Sequence, residues 1–128
     1  MKVLRGGSGA HFYIPIECKI EPRQLKTLVP PNSKILIADS NNARDSDDSS
    51  KLDAYYQVDY TKFSHICIVM NSETEGISKG IHQLISEDSD ISRIHIPLKC
   101  GIDSLNVANA FGIIAFEICR QFIMCSKV

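Results

Sequence analysis

Little in this 128-residue chain points to an unusual environment. Aromatic residues make up 7% and the formal net charge is −1, so the strong basic footprint of a chain that grips nucleic acid over its whole surface is missing. No apolar run approaches membrane-spanning length; residues 110–119 come nearest, and Glu117 and Arg120 interrupt the region. The N-terminus, MKVLRGGSGAHF, lacks the apolar segment of a secretory signal and is too poor in Arg and Ser for a transit peptide. The five cysteines (Cys18, Cys67, Cys100, Cys119, Cys125) show no C-x-x-C spacing, which excludes a disulfide framework and suggests free thiols in a reducing compartment. His11, His65, His82 and His95 are scattered too, so no zinc or other metal site is expected.

What is present suits a single domain with a real core, since 44% of the residues are hydrophobic. Three strand–loop–helix passages are legible. Residues 33–38 read as a buried strand ending at Asp39, and residues 65–70 as a second strand leading into NSETEG and a helix from about Ser78 to Ser86. Arg93 to Leu98 reads as a third, leading into a long C-terminal helix. Continuous apolar strands alternating with helices predict an α/β fold, a parallel sheet with helices on both faces. An earlier helix is expected to start near Pro22 and end before Pro30-Pro31. Residues 39–53, DSNNARDSDDSSKLD, are too polar to order themselves and predict a mobile acidic loop.

Charge is unevenly spread. Residues 1–34 hold six basic side chains against Glu17 and Glu21, whereas residues 35–60 hold six Asp against Arg44 and Lys51. A solvated surface explains this without a ligand. GGSGAH at 6–11 fails as a phosphate loop, because no Lys-Ser/Thr follows the glycines, and reads as a structural turn.

The run IHIPLKCGIDSLNVANAFGIIAFEICRQ, residues 94–121, is the most informative stretch. Its helix is apolar almost all round, which predicts burial against its own domain or a partner. Asp103 or Ser104 is placed to cap that helix, and Asn106 in its first turn needs something to satisfy its amide. Glu117 and Arg120 form an i,i+3 pair expected to contribute only a few tenths of a kcal/mol. NSETEGIS at 71–78 follows a buried strand, with Gly76 suited to a turn at positive φ.

With these residues together, the chain resembles the SPOUT superfamily, specifically RNA ribose 2′-O-methyltransferases of the SpoU/TrmH type. The family's Gly-x-Glu-x-x-Gly motif is matched by Asn71-Ser72-Glu73-Thr74-Glu75-Gly76. Its Ile-Pro-x-x-Gly-x-x-Ser-Leu-Asn-Val-x-x-Ala motif is matched by Ile96-Pro97, Gly101, Ser104-Leu105-Asn106-Val107 and Ala110. LRGGSGAHFYIPI, Ala38-Asp39-Ser40 and Arg120-Gln121 look closest to mitochondrial large-subunit rRNA members. The similarity runs over the whole chain.

The resemblance implies a C-terminal trefoil knot, an exception to the rule against threaded chains. It also implies S-adenosylmethionine as cofactor, rRNA as partner, a homodimer packed through the C-terminal helix, and a mitochondrial location, with a cytoplasmic one as the alternative. No membrane partner is expected. Cofactor contacts carry over to Asn71, Ile96 and Leu105, and the pocket-shaping positions to Glu73, Gly76, Gly101, Ser104 and Asn106. Asn71 departs from the family's Gly; Asn is among the least costly alternatives at positive φ. The family's first motif, which supplies an Asn and the Arg associated with activating the ribose hydroxyl, lies upstream of Met1. Arg5 does not match it, so no catalytic residue is assigned. Residues 1–128 thus read as a methyltransferase-type domain lacking its N-terminal part, weak or inactive alone. A non-catalytic dimerisation or RNA-binding module is the alternative.

Overall fold

The computed structural model of the chain describes residues 7–21, 24–39, 52–70, 90–102 and 104–126. Among them are four strands, β1 (Ser33–Asp39), β2 (Leu52–Ala54), β3 (His65–Met70) and β4 (Ile91–His95). Two α-helices accompany them, α1 (Leu25–Leu28) and α2 (Val107–Cys125), with 3₁₀ turns at Ala10–Phe12 and Tyr60–Lys62. The strands form one sheet in the order β2-β4-β1-β3, and every pairing is parallel.

The alternation of side chains along each strand builds two apolar layers. On one face Leu36 and Ile94, with Ala38, Ile66, Ile68 and Ile96, pack against Tyr60 and against Ile114 and Ile118 of α2. On the other, Ile35, Ile37 and Ile91, with Cys67 and Val69, pack against Leu25 of α1 and Val29 behind it. Leu36, Ile94 and Ile114 are wholly buried, and each such side chain contributes roughly 1.5–3 kcal/mol of transfer free energy. The α/β expectation of a parallel sheet with helices on both faces holds.

Several boundaries differ from the sequence expectation. The third strand runs 91–95 rather than 93–98, because Pro97 has no N–H to extend a ladder. The expected acidic loop is trimmed at both ends: Asp39 closes β1, and Leu52–Ala54 forms β2. No local pattern announces β2; its partner β4 supplies the backbone bonds, and the Tyr55 N–H continues the ladder to the His95 carbonyl at 3.0 Å. Residues 40–51, Pro22 and the helix expected over 78–86 lie outside the described residues. GGSGAH reads correctly as a turn: the Ala10 N–H donates to the Gly7 carbonyl at 2.8 Å, and Gly9 takes φ +88°.

Helix α2 is not buried all round by its own domain, which leaves the partner alternative for its outward face: among its residues only Ile114 is fully buried, while Phe116 is 80% exposed and Phe111, Ile123 and Met124 are exposed as well. Its inward stripe is Ile114, Glu117, Ile118 and Gln121, the i, i+3, i+4, i+7 spacing of a helix face. Polar Glu117 and Gln121 share the packed side with Ile114 and Ile118, while Phe111 and Phe116 face outward. Nor is the run short of membrane-spanning length. Glu117 and Arg120 pair with each other and leave a 19-residue helix with the length and composition of a span, a test that core helices of soluble proteins also pass.

Candidate functional site

Because all four strands run the same way, their C-terminal ends share one edge of the sheet, the edge where α/β folds bind ligands. The loops that carry the two motifs leave from β3 and β4, which are not neighbours. They flank β1, so two inter-strand spacings, about 10 Å, separate them. Asn71, Glu73 and Gly76 lie outside the described residues. The β4 loop is described except for Asp103.

That loop begins with Ile96, half-buried against the α2-side core. It turns at residues 99–102, where the Ile102 N–H donates to the Lys99 carbonyl at 3.1 Å. Gly101 sits at φ +88°, the conformation required at the third position of such a turn. Among the described residues nothing lies within 4 Å of where its Cβ would stand, so on that side the backbone is open. Ser104 and Leu105 are half-buried, and Asn106 is exposed. The structure thus places Ile96, Gly101, Ser104, Leu105 and Asn106 on one loop at the ligand-binding edge.

The cap differs from expectation. Asp103 lies outside the described residues, and Ser104 does not open the helix; Asn106 does, its Oδ1 accepting the Ala108 N–H at 2.9 Å. The amide in the first turn is therefore satisfied by the helix itself. Glu117 is also better held than a simple surface pair. Arg120 Nε and Nη2 donate to its two oxygens at 2.8 Å each, and Gln121 Nε2 donates at 2.9 Å. These bonds, Arg120's first, hold the Glu117 carboxyl down to about 2.

Gln121 extends the network across to the connection between β2 and β3. Its Oε1 accepts the Tyr60 N–H and its Nε2 donates to the Val58 carbonyl, both at 3.0 Å. The buried Tyr60 hydroxyl donates to the Tyr55 carbonyl. Burial, reinforced by the charge of Glu117, pushes that phenol up to about 12.

Sequence reasoning missed a buried polar group beside the site. Arg93 Nη2 and Nε donate to Asp39 Oδ2 at 2.7 and 3.1 Å, with side chains only 3% and 6% exposed. Next to them His95 is buried, with Nδ1 3.1 Å from the Asp53 carbonyl. The available signal was an Arg inside a strand predicted to be buried. Among the described residues no cluster of His, Cys, Asp or Glu is arranged to hold a metal. All five cysteines are free, and all but Cys67 are exposed; burial pushes the Cys67 thiol up.

Comparison with known proteins agrees with this arrangement. The model of the SpoU rRNA Methylase family matches residues 1–116. Mitochondrial rRNA methyltransferase 3 of Homo sapiens is 31% identical over 157 residues, taking in 94% of this chain and 37% of that protein. Its Mus musculus counterpart is 29% identical over 155 residues with the same coverage. The SpoU methyltransferase AviRb from Streptomyces viridochromogenes, solved in complex with the cofactor AdoMet, superposes with a TM-score of 0.68 at 22% identity. It shares the fold over 96% of this chain and 45% of its own. The chain thus spans less than half the length of these relatives.

Proposed function

The chain belongs to the SpoU rRNA methylase family, and on that premise we propose that it is an S-adenosylmethionine-dependent methyltransferase domain acting on a ribose 2′-hydroxyl of rRNA. The observation that carries this reading is the family match over residues 1–116 together with a loop at the sheet's ligand edge that holds the matched motif residues.

The residues present fit such a cofactor. Ile96 and Leu105 offer half-buried apolar surface with backbone groups between them, and the open side of the backbone at Gly101 lets a ligand approach the chain closely. In this reading Ile96 and Leu105, with Asn71 from the β3 loop, contact the cofactor. Glu73, Gly76, Gly101, Ser104 and Asn106 shape the pocket. The cofactor supplies a methyl group on a sulfonium, so the protein's work is orientation and exclusion of water. The Arg expected to activate the hydroxyl has no counterpart among the matched residues, and no side chain here is assigned that step.

The same reading includes a trefoil-knotted path through the β3 and β4 loops, a homodimer and a mitochondrial location, the last from the relatives named mitochondrial. The outward face of α2, with Phe111, Phe116 and Ile123, supports the dimer. Calorimetry of the folded chain with S-adenosylmethionine tests the proposal, and saturable binding is expected. Absence of binding by both the chain and its Asn71→Gly variant would sink the cofactor reading and favour a non-catalytic dimerisation or RNA-binding module.

A further inference from the structure

The buried pair Asp39–Arg93 has a role that the motif residues do not supply. β1 is buried on both faces, with Ile35, Leu36 and Ile37 all inside. Its neighbour β3 carries Ile66, Ile68 and Val69 as well, whereas β4, ISRIH, offers only Ile91 and Ile94. On β1 a slip of one residue exchanges apolar for apolar, and two Ile on β4 leave hydrophobic burial a weak discriminator of register. Arg93 breaks that degeneracy. It lies opposite Ile37 in the ladder, diagonal to Asp39 on the same face, and two of its nitrogens reach one Asp39 oxygen. A one-residue slip moves Arg93 about 3.3 Å and to the other face, separating two charges that are 3% and 6% exposed. Separated buried charges are strongly disfavoured, which makes the observed register the selected one.

The consequence falls on the loop. β4 ends at His95 and Ile96 follows at once, so the register of β4 against β1 sets where the Ile96–Asn106 loop stands. We propose that Asp39 and Arg93 are positioning residues, a register lock that fixes the β4 loop beside the end of β1 and thereby shapes the cofactor pocket. The link to the pocket rests on the cofactor reading above; the lock itself does not.

The test uses the full chain with both charges replaced at once, Asp39→Leu with Arg93→Met, because an apolar pair of similar size removes both buried charges together and keeps the fold. Expected are a melting temperature at or above that of the unaltered chain, doubled or broadened amide resonances over residues 91–98, and binding of S-adenosylmethionine at least tenfold weaker. Arg93→Lys, which keeps the charge but cannot give two donors from one guanidinium, is expected to fall between; it also serves if the double variant does not fold. A single set of sharp amide signals with unchanged affinity would overturn the proposal. If the unaltered chain binds no S-adenosylmethionine, the cofactor reading fails, and the amide spectrum alone decides the lock.

Discussion

Asn106 carries a structural duty and a proposed functional one, and substitution separates them. Asn106→Ala removes the bond from the Ala108 N–H and is expected to cost about 1 kcal/mol, read as a lower denaturation midpoint. Asn106→Asp retains the cap and should restore stability, so weakened cofactor binding by that variant would mark a contact beyond capping. At Gly101 the cost is conformational. Among the described residues a Cβ meets nothing within 4 Å, yet φ +88° is unfavourable for an L side chain. Gly101→Ala is therefore expected to destabilise by about 1 kcal/mol without a clash. Glu117 sets a pH dependence. Its carboxyl is held down to about 2 by Arg120 and Gln121, below the ordinary range of about 4.3 for an unfolded Glu. The folded state thus binds its proton less readily, and the stabilisation is present above the ordinary value and lost as pH falls toward 2. Acid titration followed by circular dichroism should show this loss, and Glu117→Gln should flatten it.

At the scale of the element, α2 is tied to the β2–β3 connection by one side chain that bridges two backbone groups. Gln121→Ala leaves the Tyr60 N–H and Val58 carbonyl without that partner, and losing the pair is expected to cost on the order of 1–3 kcal/mol. Faster amide exchange at Tyr60 would locate the loss. The sequence made the existence of α2 plain but not its orientation. Apolar periodicity alone does not mark the inward stripe here, because it is completed by Glu117 and by Gln121, whose hydrogen bonds reach a segment some sixty residues earlier. Strand β2 was hidden for a related reason: three residues after an acidic run become a strand only through β4. Strands β1 and β3, by contrast, were legible as compact apolar runs, and so was the β4 loop, through its Ile-Pro, Gly and Ser-Leu-Asn spacing.

At the scale of the molecule, the outward face of α2 should govern assembly. If the proposed homodimer forms, Phe116→Lys, at an 80% exposed position, is expected to convert it to a monomer in sedimentation velocity while leaving secondary structure intact. Persistence of the dimer would move the interface elsewhere. The fold class was readable from strand and helix alternation, whereas strand order was not, since it depends on connections that no local pattern encodes.

That order, β2-β4-β1-β3, puts no two strands that are consecutive in the chain side by side. Every ladder must therefore wait for distant segments to meet, and β4, the last to be synthesised, is the only one that brings β2 into the sheet. Loop closure precedes any reward from pairing, so folding of this domain is expected to be slow and to finish only after its C-terminal third has left the ribosome. During that interval the edge of β1 that β4 will cover stands open, a template on which another chain could pair.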